Sequence, residues 1–492
     1  MRPESVARGT LILTASGVIT RFIGFAVRII LVRIMGPEGI GLFSRVSAMY
    51  MLILSMASAG IPVAVAKLSA EELGRHSESS ARRIAHVAVL VNIATGILAM
   101  SAFILFARPL SSAILRDIRL YPIMLAISPA LAVVPVSSVL RGLLQAYQWM
   151  TPIAASQIAE RIASGMANVV LASTLISHGV EYSAAGLALG MAIGEVVGLA
   201  VMAWAWHVYG RYPGDRRKSI KREAGTRPGE NMGTLPIMTR LFGIGIPVAG
   251  ARAAGSFSGA VMAVLIPERL MMAGLDIGKA TAVYGSFQGI AMAVVFFPTV
   301  FTFSLSSNLV PAISRAGGAG DWTRIRERIK DSILITILTG LISTIFFVSA
   351  GDFICKRLFD TPDATPVLIA LSIGSTMIYL RITTGGIMQG LGLIGLATSN
   401  YIVGILLTLL LTYLLVPNPA LHIYGAVMAT LAGNMVNACL NWAAINRYLH
   451  RFPMMKGTSL NRFPVSKGTS FDLFFNRIMQ EFGRIWRIFF HV

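Results

Sequence analysis

Among the charged residues that lie inside long apolar stretches of this 492-residue chain, six are candidates for a functional site, because an ionised side chain is most costly there. The first stretch carries Arg21 and Arg28, whose seven-residue spacing is almost two helical turns, so both share one helix face. The others, in later stretches, are Glu160, Arg161, Glu195 and Arg252. In a membrane each charge costs at least about 2.5–3.5 kcal/mol at mid-depth. All six are therefore predicted to face the interior of a helix bundle or a water-filled cavity.

Two of the arginines correspond by position. Arg21 and Arg252 lie near the middle of helices that match in an internal repeat, and neither helix offers an acid near mid-depth. Arginine binds phosphate oxygens through two parallel N–H groups and does not lose its charge. We expect Arg21 and Arg252 to converge on a central cavity and to bind an anionic group such as a diphosphate there.

Alternatives stay open for the other four residues. Glu160, Arg161 and Glu195 include both signs of charge, so they also suit a structural ion pair, for example between Arg161 and Glu195. Arg28 has a long side chain that also suits an outward extension to the membrane surface. In the substrate-binding interpretation, all four line the same central cavity.

The elements that position these residues are helices that cross a membrane. Hydrophobic residues make up 55% of the chain and charged residues only 13%, against about 25% in soluble proteins, and the mean hydropathy is +0.70. Twelve stretches reach the roughly 20 mostly apolar residues that a span needs. They lie near 10–31, 44–66, 84–107, 120–145, 151–176, 183–208, 236–266, 281–308, 331–351, 366–389, 394–416 and 424–448. The sequence therefore predicts an all-α polytopic membrane protein with twelve transmembrane helices.

Positive charge between the spans predicts their orientation. With the N-terminus inside, the cytoplasmic segments hold 25 Lys and Arg residues and the outer segments hold 8. This asymmetry places both termini in the cytoplasm of a cell-membrane protein. It also accounts for the net charge of +20 as a feature of topology and of contact with anionic lipid. Nucleic acid is therefore not an expected partner.

The chain repeats itself across its middle. "RGLLQAYQWMTPIA" (141–154) returns 244 residues later as "GGIMQGLGLIGLAT" (385–398), and the small residues of span 6 return in span 12, 239 residues later. Both copies begin on the cytoplasmic side, so the repeat is parallel. The predicted six-helix lobes are 1–208 and 236–448, joined by a basic cytoplasmic linker at 209–235.

Three further patterns accompany the repeat. The pentapeptide "GIPVA" occurs at 60–64 and 245–249, in spans 2 and 7, which do not correspond in this register, and we interpret it as chance. Glycines at every fourth position of span 6 predict a face for close helix packing. Asn434, Asn437 and Asn441 in span 12 would either bond across helices or line a wet cavity.

The last segment, 449–492, is predicted to be a cytoplasmic tail. Between 471 and 489, phenylalanines and other apolar residues share one helical face and arginines share the other. This pattern predicts an amphipathic interfacial helix on the anionic inner leaflet, with an unstructured tail as the alternative.

No enzyme motif keeps its required context. "GLGLIG" (390–395) matches a dinucleotide-binding pattern, but no strand precedes it and it lies between two spans. The two cysteines, Cys355 and Cys439, match no metal-ligand spacing. The sequence therefore predicts a protein that is not an enzyme and has no cofactor and no metal. Cys355 lies in a predicted outer segment and is expected to react with a reagent added outside the cell.

The phrases "TLILTASGVITRFIGFAVRIILVRIMGPEGIGLF", "AGIPVAVAKLSAE" and "LRGLLQAYQWMTPIAASQIAERI" resemble the stage V sporulation protein B family. That family belongs to the multidrug/oligosaccharidyl-lipid/polysaccharide (MOP) flippase superfamily, beside the lipid II flippases. The resemblance implies a V-shaped, two-lobed exporter of lipid-linked cell-wall or polysaccharide precursors with a cationic central cavity. It also implies that Arg21 is the superfamily's helix-1 arginine and that Arg252 is its counterpart in the second lobe.

Residues and resemblance together predict an inner-membrane flippase of polyprenyl-diphosphate-linked saccharides for cell-wall, spore-cortex or polysaccharide synthesis. It would work by alternating access, with a lipid-linked oligosaccharide and the anionic inner leaflet as partners. The first alternative is a cation-coupled multidrug exporter of the same superfamily, whose acidic cavity would contain Glu160 and Glu195. The second alternative is a non-transporting scaffold that recruits cell-wall synthesis enzymes.

Overall fold

The computed structural model describes residues 6–75, 77–210 and 233–450, and all regular structure within those ranges is helical. The first half contains α1 (Val6–Ala57), α2 (Ile61–Gly74), α3 (Glu78–Pro109), α4 (Tyr121–Ala146), α5 (Met150–Leu175) and α6 (Val180–Gly210). The second half contains α7 (Thr234–Met272), α8 (Ile277–Tyr284), α9 (Met292–Val295), α10 (Thr299–Gly318), α11 (Trp322–Asp352), α12 (Thr365–Ile373), α13 (Ser375–Gly390), α14 (Ile394–Leu415) and α15 (Ile423–His450). Short π or 3-10 helical turns lie at 110–114, 118–120, 176–178, 285–291, 353–358 and 362–364. The predicted all-α membrane fold is confirmed.

Each of the twelve predicted spans lies on these helices. By length and apolar composition, six of the described helices can cross a membrane, and the number is eight if each of two bent pairs counts as one span. The first predicted span and most of the second lie on α1, the second ends in α2, and the eighth and tenth are each divided between helices. The chain is a multi-pass membrane protein, and its count of twelve spans stays a prediction.

Glycine and proline account for the breaks in these helices. Gly36, inside α1, has φ 67° and ψ −178°, a conformation that suits a residue without Cβ, and Pro37 then begins the next helical segment. Between α1 and α2, Ala59 and Gly60 have φ values of 43° and 64°. Pro298 caps α10, where the chain bends by 56° after α9, because proline cannot donate to the preceding helical turn.

The second part of α1 crosses α8 and the turn that follows it at two glycines. A Cβ added at Gly41 would overlap the carbonyl oxygen of Thr281, and one added at Gly285 would overlap the carbonyl oxygen of Pro37. Gly285 follows Gly41 by 244 residues, and Thr281 follows Pro37 by the same number. The contact is therefore symmetric under the displacement that the sequence predicted for the repeat. We call this end of the bundle the Gly36 end.

A second contact also occurs once in each half. Gly194 of α6 packs on the backbone oxygen of Glu160 in α5, and Gly433 of α15 packs on the backbone oxygen of Gly404 in α14. Gly404 follows Glu160 by 244 residues, and Gly433 follows Gly194 by 239. The glycine face that the sequence predicted for close helix packing is confirmed, and the second half repeats it.

The two "GIPVA" copies meet in space. Gly60 caps the N-terminus of α2, whereas Gly245 lies inside α7, so the copies occupy different structural positions. A Cβ added at Gly60 would overlap the carbonyl oxygen of Gly245, and one added at Gly245 would overlap that of Ala59. The pentapeptide does not mark the repeat register, as we expected. Its interpretation as chance is nevertheless incomplete, because both glycines are needed where these two backbones touch.

Some sequence expectations concern residues outside the described ranges. They are most of the predicted linker, at 211–232, and the tail from 451 onward with its predicted amphipathic helix. The lobe boundaries drawn from the repeat stay predictions.

The expectation for Cys355 is wrong: its side chain is fully buried, so it is not expected to react with a reagent added outside the cell. The segment after α11 continues as a π-helical turn at 353–358, which directs this side chain inward.

Candidate functional site

A cavity of about 540 Å³, which we call the large cavity, lies between α1 and helices of the second half. From α1 it is lined by Arg28, Phe43, Ser44, Ser47, Ala48 and Met51, and from the second half mainly by α7, α13, α14, α15 and the segment from Tyr284 to Phe296. Hydroxyl and amide groups share this wall with glycines. No Asp or Glu occurs among the described residues that line it. The wall therefore suits a polar ligand that is neutral or negatively charged.

A smaller cavity of about 300 Å³ lies beside the large one, and Arg28 and Phe296 line both. We call it the small cavity. It lies between α1 and the bend that joins α9 to α10. Its other lining residues are Arg21, Gly24, Phe25, Ala293, Phe297, Thr299 and Phe303. Arg28 therefore stands where an aromatic cavity meets a polar one.

Arg21 and Arg28 of α1 both reach the small cavity, in agreement with their spacing on one helix face. Arg21 donates to Thr299 Oγ1 at 3.5 Å, and its guanidinium carbon lies 5.5 Å from the centre of the Phe303 ring. Within the described ranges, neither Arg21 nor Arg28 has a carboxylate oxygen within 4.0 Å. Their charges are thus free to meet an anionic ligand.

Arg381 of α13 is a candidate that the sequence reasoning missed. It lines the large cavity, and its guanidinium carbon lies 5.4 Å from the centre of the Tyr401 ring. Its buried Nε has no hydrogen-bond partner among the described residues. The signal that would have found it was present, because Arg381 is an arginine inside the tenth apolar stretch, as Arg21 and Arg28 are inside the first.

The asparagine row of α15 does both things that the sequence left open. Asn434 and Asn437 line the large cavity. Asn441 bonds across helices, because it accepts from Asn400 of α14 at 3.0 Å and donates to Thr384 of α13 at 3.3 Å. This network ties α13, α14 and α15 together beside the cavity and holds that wall in place.

The charged residues of α5 and α6 lie outside both cavities. Glu160 pairs with Arg141 of α4 at 3.6 Å, a partner that the sequence did not suggest. Arg161 is exposed, and its side chain passes beside Gly24 of α1. Glu195 forms no ion pair with any described residue, so the suggested pair with Arg161 is not formed.

Arg252 is exposed and lines neither the large nor the small cavity. It precedes Gly255 and Ser256, which line the large cavity, by three and four residues. Arg252 therefore shares their helix face, one turn nearer the start of α7. The structure does not bring Arg21 and Arg252 to one cavity. It places Arg252 beside the large cavity and Arg21 in the small one.

The arrangement of helices is that of a known transporter fold. A solved multidrug resistance MATE family transporter of the MOP superfamily, in an inward-facing conformation, matches with a TM-score of 0.67. The match covers 88% of this chain and 95% of that transporter at 16% identity. At such an identity the likeness shows the fold alone.

Two relatives from Bacillus subtilis (strain 168) match most of the chain. Stage V sporulation protein B is 29% identical over 450 residues, which are 91% of this chain and 85% of that protein. Lipid II flippase MurJ is 24% identical over 485 residues, with 90% and 83% covered. These matches confirm the resemblance that the three sequence phrases indicated. The family described as "Polysaccharide biosynthesis protein" matches residues 6–316, more than half of the sequence. The chain therefore belongs to the polysaccharide biosynthesis protein family.

Proposed function

We propose that this protein is a flippase of saccharides linked to a polyprenyl diphosphate, and that it is a transporter rather than an enzyme. The observation that carries the proposal is the position of Arg28 at the junction of the two cavities, where no described residue gives it a carboxylate partner. A diphosphate is a dense anion, and the guanidinium fork holds such oxygens in pairs. The names of the family and of the lipid II flippase relative support a lipid-linked saccharide as the cargo.

The two cavities suit the two parts of such a cargo. In the small cavity, Phe25, Phe297 and Phe303 offer an apolar wall beside the charges of Arg21 and Arg28. This combination fits the point at which a lipid tail joins its diphosphate, while the rest of the tail stays in the membrane. The large cavity has the size range of a ligand site and a wall of hydroxyl and amide groups, which fits a saccharide.

Energetics and symmetry support the direction and the manner of transport. Negative charge that moves outward follows an inside-negative membrane potential, which is worth about 2.3 kcal/mol per charge per 100 mV. The symmetric crossing at Gly41 and Gly285 supports a rocking motion of two lobes around the cavity, as parallel repeats allow.

The fold alone also suits a multidrug exporter, because the matching solved transporter is one. A carrier of cationic drugs requires acidic groups in its cavity. Here Glu160 is engaged by Arg141, and neither Glu160 nor Glu195 lines the large or the small cavity. The cavities contain arginines instead, which favours an anionic cargo. A scaffold for cell-wall enzymes differs from both in that it would transport nothing.

Transport by the purified protein tests the proposal. Vesicles that contain the protein and a fluorescent polyprenyl-diphosphate-linked saccharide are expected to bring the lipid within reach of an impermeant quencher. Protein-free vesicles should retain a protected half. The same vesicles should not move a cationic dye. Dye transport without lipid transport would favour the drug exporter, and transport of neither would favour the scaffold.

We also propose that both termini and the linker at 209–235 are cytoplasmic. In a variant with both native cysteines replaced by serine, a cysteine at Asp276 should react with an impermeant thiol reagent on intact cells. Asp276 is exposed and lies near Glu38 at the Gly36 end. A cysteine at Arg217 should react only after the membrane is permeabilised. Labelling of position 217 on intact cells would reverse the assigned orientation.

A further inference from the structure

Arg381, in the second half of the bundle, has no carboxylate partner among the described residues. Within the described ranges, no carboxylate oxygen lies within ion-pair distance of Arg381, and its buried Nε has no hydrogen-bond partner. Its contact with the ring of Tyr401 is a cation–π interaction, which contributes about 0.5–2 kcal/mol. Removal of an ion from water costs several kcal/mol, so this contact does not offset the burial of the guanidinium.

The corresponding region of the first half supplies its own carboxylates. Glu160 and Glu195 correspond, at displacements of 244 and 239 residues, to Gly404 and Asn434. Both of these counterparts line the large cavity. Arg381 therefore shares its cavity with a glycine and an amide at the positions where the first half carries acids. At the two positions where the first half carries Glu160 and Glu195, the second half therefore offers Arg381 no carboxylate.

The wall that carries Arg381 is held rigidly. Thr384, one turn after Arg381, accepts a hydrogen bond from Asn441, which also bonds to Asn437 at 3.2 Å. Asn437 in turn lines the large cavity. Because these bonds fix the neighbouring helices in advance, little conformational entropy is lost when a ligand meets the guanidinium.

Arg381 is also distinct from the arginines assigned to the diphosphate. Arg21 lines only the small cavity, Arg28 lines both, and Arg381 lines only the large one. The three arginines therefore follow the path from the aromatic cavity into the polar one. A cargo whose only charges were on its diphosphate would leave Arg381 without a partner.

We propose that Arg381 is a second anion site, which binds a carboxylate on the saccharide of the cargo. The amides of Asn434 and Asn437 line the same cavity and are available to the same group. This inference rests on the proposed flippase function and adds to it a substrate class, the acidic saccharides. Arg381 is then the residue that distinguishes acidic from neutral cargo.

Two cargoes that differ in one group test this inference, namely polyprenyl-diphosphate-linked glucuronic acid and the same lipid carrying glucose. In vesicles, the unmodified protein is expected to move the acidic cargo at least about tenfold more efficiently, measured as kcat/KM. Arg381→Gln should remove the preference, because it should lower the rate for the acidic cargo far more than the rate for the neutral cargo. Arg381→Lys keeps the charge but loses the fork, so it should retain part of the preference.

A second variant does not alter Arg381 at all. Asn434→Glu introduces the carboxylate that the first half carries at Glu195, and it should lower transport of the acidic cargo far more than that of the neutral cargo, whereas Asn434→Gln should affect both alike. Equal rates for both cargoes in the unmodified protein, or an equal loss for both in Arg381→Gln, would overturn the inference and leave the flippase function standing. If the unmodified protein moves neither cargo, the proposed function is wrong and this inference with it.

Discussion

Replacement of Arg28 by alanine is expected to reduce transport of a lipid-linked saccharide by about a hundredfold and to leave the bundle folded. Arg28 lines both cavities, so every part of the charged head group passes it. A hydrogen bond to a charged group contributes about 1.5–3 kcal/mol, and about 2.7 kcal/mol corresponds to a hundredfold change in binding. Because Arg28 has no carboxylate within ion-pair distance in the described structure, its removal strands no acid.

Two further variants make this expectation specific. Arg28→Lys keeps the charge but loses the paired N–H donors, so a loss of about tenfold is expected. Arg252→Ala is the matched control, because Arg252 is also an arginine within an apolar stretch but lines neither cavity. Its effect should stay below about threefold. Initial transport rates and thermal melting of each purified variant measure these effects. An equal loss for Arg252→Ala would restore the shared site that the repeat predicted, and an unfolded Arg28→Ala would assign a structural role.

The helices and the close contacts between them could be predicted from the sequence, because both depend on the local pattern of residues. Each predicted apolar span lies on described helices, and the four-residue glycine spacing predicted the close contact between α5 and α6. The bends did not follow in the same way. Hydropathy shows how long an apolar run is but not the direction of the helix axis. It therefore did not predict the break at Gly36, which separates two predicted spans inside α1.

The site was predicted less completely, because a repeat relates positions and not environments. The large cavity receives α1 from the first half but several helices from the second, so equivalent residues of the two lobes meet different surroundings. Arg252 lies in the helix that matches that of Arg21, but at a displacement of 231 residues and not the 244 of the symmetric contact, and of the two only Arg21 lines the small cavity. The pair between Glu160 and Arg141 depends on how α4 and α5 cross, which no spacing within one helix records.

At the Gly36 end, a buried arginine joins the two halves of the chain. Arg45 is 1% exposed and donates to Asp117 Oδ2, Thr281 Oγ1 and the carbonyl oxygen of Ala263, each at 3.3 Å, and also to the carbonyl oxygen of Leu115. Asp117 has a second partner, because Arg119 donates to its two oxygens at 3.0 and 2.9 Å. Asp117 therefore keeps an ionic partner when Arg45 is removed, whereas Arg45 loses its ionic partner when Asp117 is removed.

This inequality predicts unequal losses of stability. Asp117→Asn leaves the buried guanidinium of Arg45 without a counter-charge and should lower the free energy of unfolding by about 3–5 kcal/mol. Arg45→Met should cost less, about 1–3 kcal/mol, because Asp117 keeps Arg119 and the other oxygens that lose a donor are uncharged. The double variant removes the stranded charge, so it should be no less stable than Asp117→Asn alone.

Arg116→Met is the control. Arg116 pairs with Glu268 at 2.9 Å, and its side chain is 62% exposed, so this variant should change stability by at most about 1 kcal/mol. Chemical denaturation of the four purified variants in detergent measures these differences. Losses that add in the double variant would show that Arg45 and Asp117 contribute to stability independently of each other.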